Sequence, residues 1–186
     1  MKCGKPETAG IYCPACWNSQ GKIDGIRSVF HFEGVIRQAV HDLKYHHIKA
    51  LSGLMADYLA EYLKANPVPG DAIMPVPVHK NRIKQRGYNQ SALIAGHLGK
   101  KLGIPVITTC LVRSRDSLPQ ARSANVDQRK KNVMGAFSCA SAASDYRNII
   151  LIDDVCTSGA TLEACAAALK KSGFNSVWGL TVAREI

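Results

Sequence analysis

One stretch, Asn148 to Thr161, narrows the choice of fold more than any other part of the chain. It opens with four consecutive apolar residues, Ile149, Ile150, Leu151 and Ile152, bounded by polar ones. A short continuous apolar run predicts a strand covered on both faces, because a sheet with one wet face would alternate. Two carboxylates, Asp153 and Asp154, follow directly. Val155 and Cys156 come next, then the small and hydroxylated residues Thr157, Ser158, Gly159, Ala160 and Thr161. Leu162, Cys165, Ala166 and Leu169 recur about one turn apart, which predicts a helix. Buried strand, acidic pair, small-residue loop and helix start place the chain in the α/β class.

That order has a chemical use. A loop leading into a helix presents unpaired backbone N–H groups and the positive end of the helix dipole. Small residues let an anion such as phosphate come close. The hydroxyls of Thr157, Ser158 and Thr161 add donors. Carboxylates repel a phosphate but suit sugar hydroxyls or a divalent cation. A ribose 5-phosphate has groups of both kinds. The plain alternative is an ordinary strand–loop–helix connection. Cys156 has no evident histidine partner and reads as a small packing residue rather than a nucleophile.

The rest of the chain supplies further elements. A short strand is expected over Ser28 to Phe32, then a helix on Val35, Ile36, Ala39, Val40 and Leu43. A longer helix carries an apolar stripe of Leu51, Leu54, Met55, Tyr58, Leu59, Tyr62 and Leu63, which reads as core. Asn66-Pro67-Val68-Pro69-Gly70 ends it. His46 and His47 read as residues of a polar turn without a spaced third metal ligand. A second strand is expected over Ala72 to Val78, restricted at its far end by Pro75 and Pro77.

A basic loop follows, in which Lys80, Arg82, Lys84 and Arg86 precede Gly87. Its place after a strand end makes it a candidate pyrophosphate clamp, the alternative being a solvated surface loop. The next helix holds Leu93, Ile94, Leu98 and Leu102, with His97 at its surface and Gly103 at its C-terminal cap. A third strand is expected over Val106 to Leu111 and a fourth over Ala136 to Cys139. Between them, Arg113 to Asn132 is a long basic segment suited to a lid over a ligand, or an insertion without a role. The last strand is expected over Ser176 to Ala183.

The 186 residues suit one domain of about 26–186 with a small appendage at 1–25. Cys13-Pro14-Ala15-Cys16 is a CxxC pair, and Cys3 precedes it. A structural zinc site is the favoured reading, with unligated thiols as the alternative. Three thiolates are visible, so an upstream residue or a histidine such as His31 would complete the set, unless the site has decayed. Seven cysteines, an odd number, do not suggest a disulfide framework. No stretch is long and apolar enough to span a membrane, and the opening Met1-Lys2-Cys3-Gly4 starts no signal peptide, so a cytoplasmic location is expected. A formal net charge of +10 predicts anionic partners.

The segment Ile152 to Thr161 resembles the phosphoribosyl pyrophosphate (PRPP) signature of type I phosphoribosyltransferases. More widely, the chain resembles the ComF family, in which a cysteine zinc finger precedes a phosphoribosyltransferase domain. The matching pieces are Cys13 to Cys16, Leu43-Lys44-Tyr45, Pro75 to His79, Arg82, Arg86 to Gln90, Arg113, Gln120, Arg129, Asn132, Phe137 and the PRPP loop. The resemblance implies an open, mainly parallel sheet flanked by helices, with PRPP and Mg²⁺ as ligands and a part in DNA uptake during natural competence. Asp153 and Asp154 would hold the ribose hydroxyls, and Val155 to Thr161 would surround the 5-phosphate. Arg82, Arg86, Arg113 and Gln120 would serve the pyrophosphate, and Cys3, Cys13 and Cys16 would bind Zn²⁺. The reaction class is pentosyl transfer, and the acceptor is not legible. The alternative is a non-catalytic PRPP sensor that binds single-stranded DNA, or an adaptor with a degenerate site. A homo-oligomer is also compatible with the resemblance.

Overall fold

A computed structural model describes residues 21–114, 133, 135–139 and 145–185. The strand expected at Ile149 to Ile152 lies inside the sheet and is longer than its apolar run. It spans Asn148–Cys156 and so carries both aspartates. We label the strands β1 (Gly25–His31), β2 (Ala72–Pro75), β3 (Leu111–Arg113), β4 (Phe137–Cys139), β5 (Asn148–Cys156) and β6 (Ser176–Arg184). The main sheet runs β1-β6-β5-β2, with every pair parallel. A single parallel bridge from Ile73 to Val106 extends it past β2.

Parallel strands need crossovers, and here the crossovers are helices: α1 (Gly34–Tyr45), α2 (Leu51–Ala65), α3 (Lys80–Arg86), α4 (Gln90–Leu102) and α5 (Ala160–Lys171). Side chains alternate across a strand, so β5 feeds two cores. Ile149 and Leu151 join Leu162, Cys165, Ala166 and Leu169 of α5. Ile150 and Ile152 join Leu59, Leu63, Ile94 and Leu98 of α2 and α4 on the opposite face. All four β5 residues are essentially inaccessible. Burying each contributes about 1.5–3 kcal/mol of apolar transfer free energy. This double burial is why the run is continuous rather than alternating.

Several boundaries differ from expectation. Strand β1 begins three residues before Ser28, because Gly25 and Ile26 already pair with β6. Strand β2 stops at Pro75; Val76 N–H still donates to Ile152 O at 2.9 Å, but Pro77 has no N–H to continue the ladder. Of the α2 stripe, Met55, Leu59 and Leu63 are buried, whereas Leu54 and Tyr58 are about half exposed. Tyr58 instead meets the Phe30 ring edge-on, with centroids 5.1 Å apart.

The basic loop is helix α3. His79 Nδ1 accepts from Asn81 N–H at 3.3 Å to cap its start, and Gly87, at φ 76°, closes it in the left-handed region. Val106 to Leu111 is not one strand. Val106 makes the isolated bridge, and Leu111 starts an antiparallel pair of its own with β4. That pairing brings Cys110 and Cys139 together in a disulfide, Cα–Cα 5.1 Å, which the cysteine count gave no reason to expect. The two cysteines are 29 residues apart and face each other only because β3 and β4 align. Gly99 lets α4 approach this edge; a Cβ there would lie 2.4 Å from Val106 Cγ2 and 2.8 Å from the Ile104 carbonyl. In the expected lid, residues 115–132 lie outside the described residues, while Arg113 sits on β3.

Candidate functional site

The carboxyl ends of parallel strands are where an open α/β sheet binds ligands, and β5 ends there with Asp153 and Asp154. Asp154 is 3% exposed. Its Oδ2 is ion-paired with Lys44 Nζ, near the end of α1. Asp153 Oδ1 accepts from Ser91 Oγ at 3.0 Å and from the Asp154 N–H at 3.0 Å. Ser91 stands in the first turn of α4, positioned because Asn89 caps that helix by accepting from Ser91 N–H at 3.0 Å. Asn89 Nδ2 also donates to Val76 O at 3.0 Å, tying the helix start to the end of β2.

Two separated motifs therefore close over the acidic pair. Tyr88 Oη donates to the Leu43 carbonyl, joining the α3–α4 turn to α1. The Arg86 guanidinium lies over the Tyr45 ring, 4.8 Å from its centroid. It donates to Tyr45 Oη at 3.1 Å and to Gln90 Oε1 at 3.4 Å. Arg86 is thus buried within this network, and Arg82 on the same short helix is partly exposed.

On the other side, β5 runs into the loop Thr157–Gly159. Thr157 is exposed, and Ser158 and Gly159 are partly exposed. Gly159 has φ 77° and precedes α5 without any side-chain cap on the helix. That left-handed geometry favours glycine, and a Cβ there would also press on Ile26 Cδ1 at 3.2 Å. Ser158 Oγ accepts from Ala160 N–H at 3.4 Å. The one acid in the first turn of α5, Glu163, accepts from the N–H groups of Lys22 and, at 3.2 Å, Ile23. Val155, Ser158 and Thr161 are partly exposed, while Ala160 is at the edge of burial and Cys156 is 2% exposed, in keeping with packing.

Electrostatics divides the two aspartates. Burial, reinforced by the Asp154 charge, pushes the Asp153 carboxyl up from 3.8 to about 8. Burial acts in the same direction on Asp154, but the Lys44 ammonium outweighs it and holds that carboxyl below its ordinary value. Cys165 is inert as a nucleophile, because burial and the nearby Asp153 push its thiol well above the ordinary range. A raised Asp153 makes the folded chain hold more protons than the unfolded chain between about pH 4 and 8. Stability therefore falls as pH climbs through that window. Asp153→Asn is expected to stabilise the fold by an amount that grows from pH 4 and levels off above pH 8, at about 1–2 kcal/mol after allowing for partial exposure. Urea unfolding midpoints at pH 5 and pH 8.5 check the sign.

The structure brings together Asp153, Asp154 and the loop to Thr161 at one sheet edge. Arg113 lies on the neighbouring two-stranded sheet with its guanidinium 5.4 Å from the Phe137 ring centroid. Gln120, Cys3, Cys13 and Cys16 lie outside the described residues. Lys44, Ser91 and Gln90 touch the site but are absent from the roles that the sequence suggests. The signal for Lys44 and Gln90 was the pair of motifs Leu43-Lys44-Tyr45 and Arg86 to Gln90, and Ser91 directly follows the second; no spacing reveals their convergence.

These elements define an open, mainly parallel α/β sheet flanked by helices, with an acidic pair and a helix-entry loop at its carboxyl edge. Solved structures that resemble it include glutamine PRPP amidotransferase from B. subtilis complexed with ADP and GMP (17% identity, TM-score 0.46, covering 70% of this chain and 26% of that one). Another is adenine phosphoribosyltransferase from Leishmania tarentolae (14% identity, TM-score 0.44, 76% and 74%). No family model matches the chain. Among curated proteins it is similar to competence protein F of Haemophilus influenzae, at 37% identity over 114 residues, 59% of this chain and 49% of that protein. Competence protein ComFC of Bacillus subtilis is 24% identical over 92% of this chain and 71% of its own length. DNA utilization protein YhgH of Escherichia coli K12 is 27% identical over 95% and 79%. The chain thus spans from about half to about four fifths of these relatives. These relatives carry names from competence and DNA utilization.

Proposed function

We propose that the chain binds PRPP, or a related phosphoribosyl ligand, together with Mg²⁺, and acts in DNA uptake during natural competence. The carrying observation is the acidic pair at the end of β5 leading through the loop Thr157–Gly159 into a helix start whose capping residue is a glycine. The names of the relatives, competence protein F, ComFC and DNA utilization protein, support the cellular role.

The donor set fits this ligand. Lys44 pairs with Asp154, while burial and the Asp154 charge push the neighbouring Asp153 carboxyl up. Sugar hydroxyls or a divalent cation would relieve the same excess of negative charge. Asp153 and Asp154 would hold the ribose hydroxyls, and the amides and hydroxyls of Thr157 to Thr161 the 5-phosphate. Arg82, Arg86, Arg113 and Gln120 would face the pyrophosphate, which for Arg86 requires leaving Tyr45 and Gln90. Bound Mg²⁺ would neutralise part of the pyrophosphate charge. In a transferase, the bond from the anomeric carbon to pyrophosphate breaks with its electron pair leaving on pyrophosphate, and an acceptor's lone pair forms the new bond. The carboxylates would favour the positive charge that develops on the sugar, so catalysis is mainly positioning and electrostatics.

Isothermal titration of the full chain with PRPP in the presence of Mg²⁺ is expected to give saturable binding that weakens when EDTA is added. No heat of binding at millimolar ligand would overturn the proposal. Pyrophosphate release with candidate amine acceptors separates an active transferase from a sensor. Lys80 and Lys84 are exposed cations on α3, the helix that carries Arg82 and Arg86, which favours single-stranded DNA as a second ligand of the sensor. Such binding would weaken steeply with salt.

A further inference from the structure

We propose that the carboxyl end of α1 holds a divalent transition-metal ion between His41, Asp42 and His46. The nitrogen and oxygen atoms that these residues can offer lie within 4.8 Å of one another. Asp42 and His46 are one helical turn apart, with Asp42 Oδ1 and His46 Nδ1 at 2.8 Å. The His41 ring stands edge-on to the His46 ring, centroids 5.2 Å apart. His47, next in sequence, is not part of the group. Its backbone is left-handed at φ 59°, and its ring faces Tyr88 at 6.0 Å.

The geometry needs only a small adjustment. Zinc–nitrogen bonds of about 2.0–2.1 Å in a tetrahedron set ligand–ligand distances of about 3.3 Å. The 2.8 Å pair would open slightly, and the widest separation would close by about 1.5 Å. Side-chain rotation achieves this, because His41 and His46 are exposed and meet no core packing. Gln38 Nε2 donates to Asp42 Oδ1 at 2.8 Å and would help orient the carboxylate. Position also favours a cation. The last carbonyls of a helix carry its negative end; Asp42 and the cap His46 bracket the final turn of α1, with His41 just before it. Lys44, the basic residue of that turn, is committed to Asp154.

The chemistry of the ligands selects the ion. Two imidazoles and one carboxylate suit zinc, nickel, copper or cobalt, whereas magnesium and calcium prefer oxygen donors alone. Three protein ligands leave further positions for water. The cluster uses none of the residues assigned to the phosphoribosyl ligand or to zinc, although the His41 ring lies 4.8 Å from the Tyr45 ring that carries Arg86, and neither reading depends on it.

Cobalt titration of the metal-stripped full chain tests it, because thiolate and imidazole sites give different spectra. A Cys13→Ser/Cys16→Ser variant is expected to bind one equivalent of Co²⁺ whose spectrum lacks sulfur-to-cobalt charge transfer, and the parent to bind the same equivalent beside any held by its cysteines. Made in the Cys13→Ser/Cys16→Ser background, His41→Ala/His46→Ala is expected to lose that equivalent, with affinity falling at least about 100-fold, and Asp42→Asn to weaken it about 10-fold. Thermal melting of the metal-free histidine variant should match the parent. Unchanged Co²⁺ affinity in that variant, or loss of all binding in the cysteine variant, would overturn the site.

Discussion

Titration of an Asp153→Ala/Asp154→Ala variant with PRPP and Mg²⁺ is expected to show about 100-fold weaker binding than the parent chain. A hydrogen bond from a ribose hydroxyl to the charged Asp154 carboxylate contributes about 1.5–3 kcal/mol, and one to Asp153, which burial disfavours in its charged form, about 0.5–1.5 kcal/mol. Losing both removes about 2–4.5 kcal/mol, and 1.4 kcal/mol corresponds to a factor of ten. The fold should survive. Removing Asp154 frees Lys44, whose side chain is 21% exposed and can turn to water. Removing Asp153 abolishes a carboxyl that burial already disfavours in its charged form. An unfolding curve within about 2 kcal/mol of the parent would show that lost binding is a property of the site. Equal binding by the two proteins would take the acidic pair out of the ligand site.

The opposite half of the same ion pair should behave differently. Lys44→Met is expected to destabilise the chain by about 3 kcal/mol at neutral pH. It strands a buried carboxylate, Asp154, whereas the reverse deletion leaves a mobile ammonium. Breaking a fully buried pair costs about 3–5 kcal/mol, and the partial exposure of Lys44 places this one near the lower end. For a chain of this size, such a loss lowers the melting temperature by roughly 6–12 °C. The sign with pH follows from Asp154, whose carboxyl Lys44 holds below 3.8. Its contribution is present above about pH 4 and disappears as pH falls through the folded value. Without Lys44, burial is the largest influence on Asp154 and raises it, so the cost of Lys44→Met should be largest at neutral and alkaline pH and shrink as acid protonates the stranded carboxyl, starting above about pH 4. Adding Asp154→Asn should recover most of the loss, because no buried charge then remains. A melting temperature for Lys44→Met equal to that of the parent at pH 7 would mean that Asp154 finds another cation or water.

Local sequence was sufficient wherever neighbouring residues carry the physics. The run Ile149 to Ile152 had to be a doubly covered strand, since four consecutive apolar residues cannot show one face to water. Gly103, at φ 67°, ends α4 as its position after the last apolar turn predicted. The acidic pair, the Gly159 turn and the start of α5 lie within one contiguous segment, so their order along the chain is their order in space.

Tertiary structure alone decided what meets that segment. Lys44 reaches Asp154 from α1, and Ser91 reaches Asp153 across 62 residues of chain. Nothing in the spacing of Leu43-Lys44-Tyr45 and Arg86 to Gln90 shows that Tyr88 and Arg86 would lock them together over β5. The basic run became helix α3 because His79 and Gly87 cap it, although its sequence read as a basic loop suited to clamping a pyrophosphate. Cys110 and Cys139 were brought face to face by the pairing of β3 with β4, which no count of cysteines contains. Hydrophobic period and turn chemistry act over a few residues, whereas ion pairs, cross-strand contacts and their shifted protonation arise only once the sheet has gathered distant segments at its carboxyl edge.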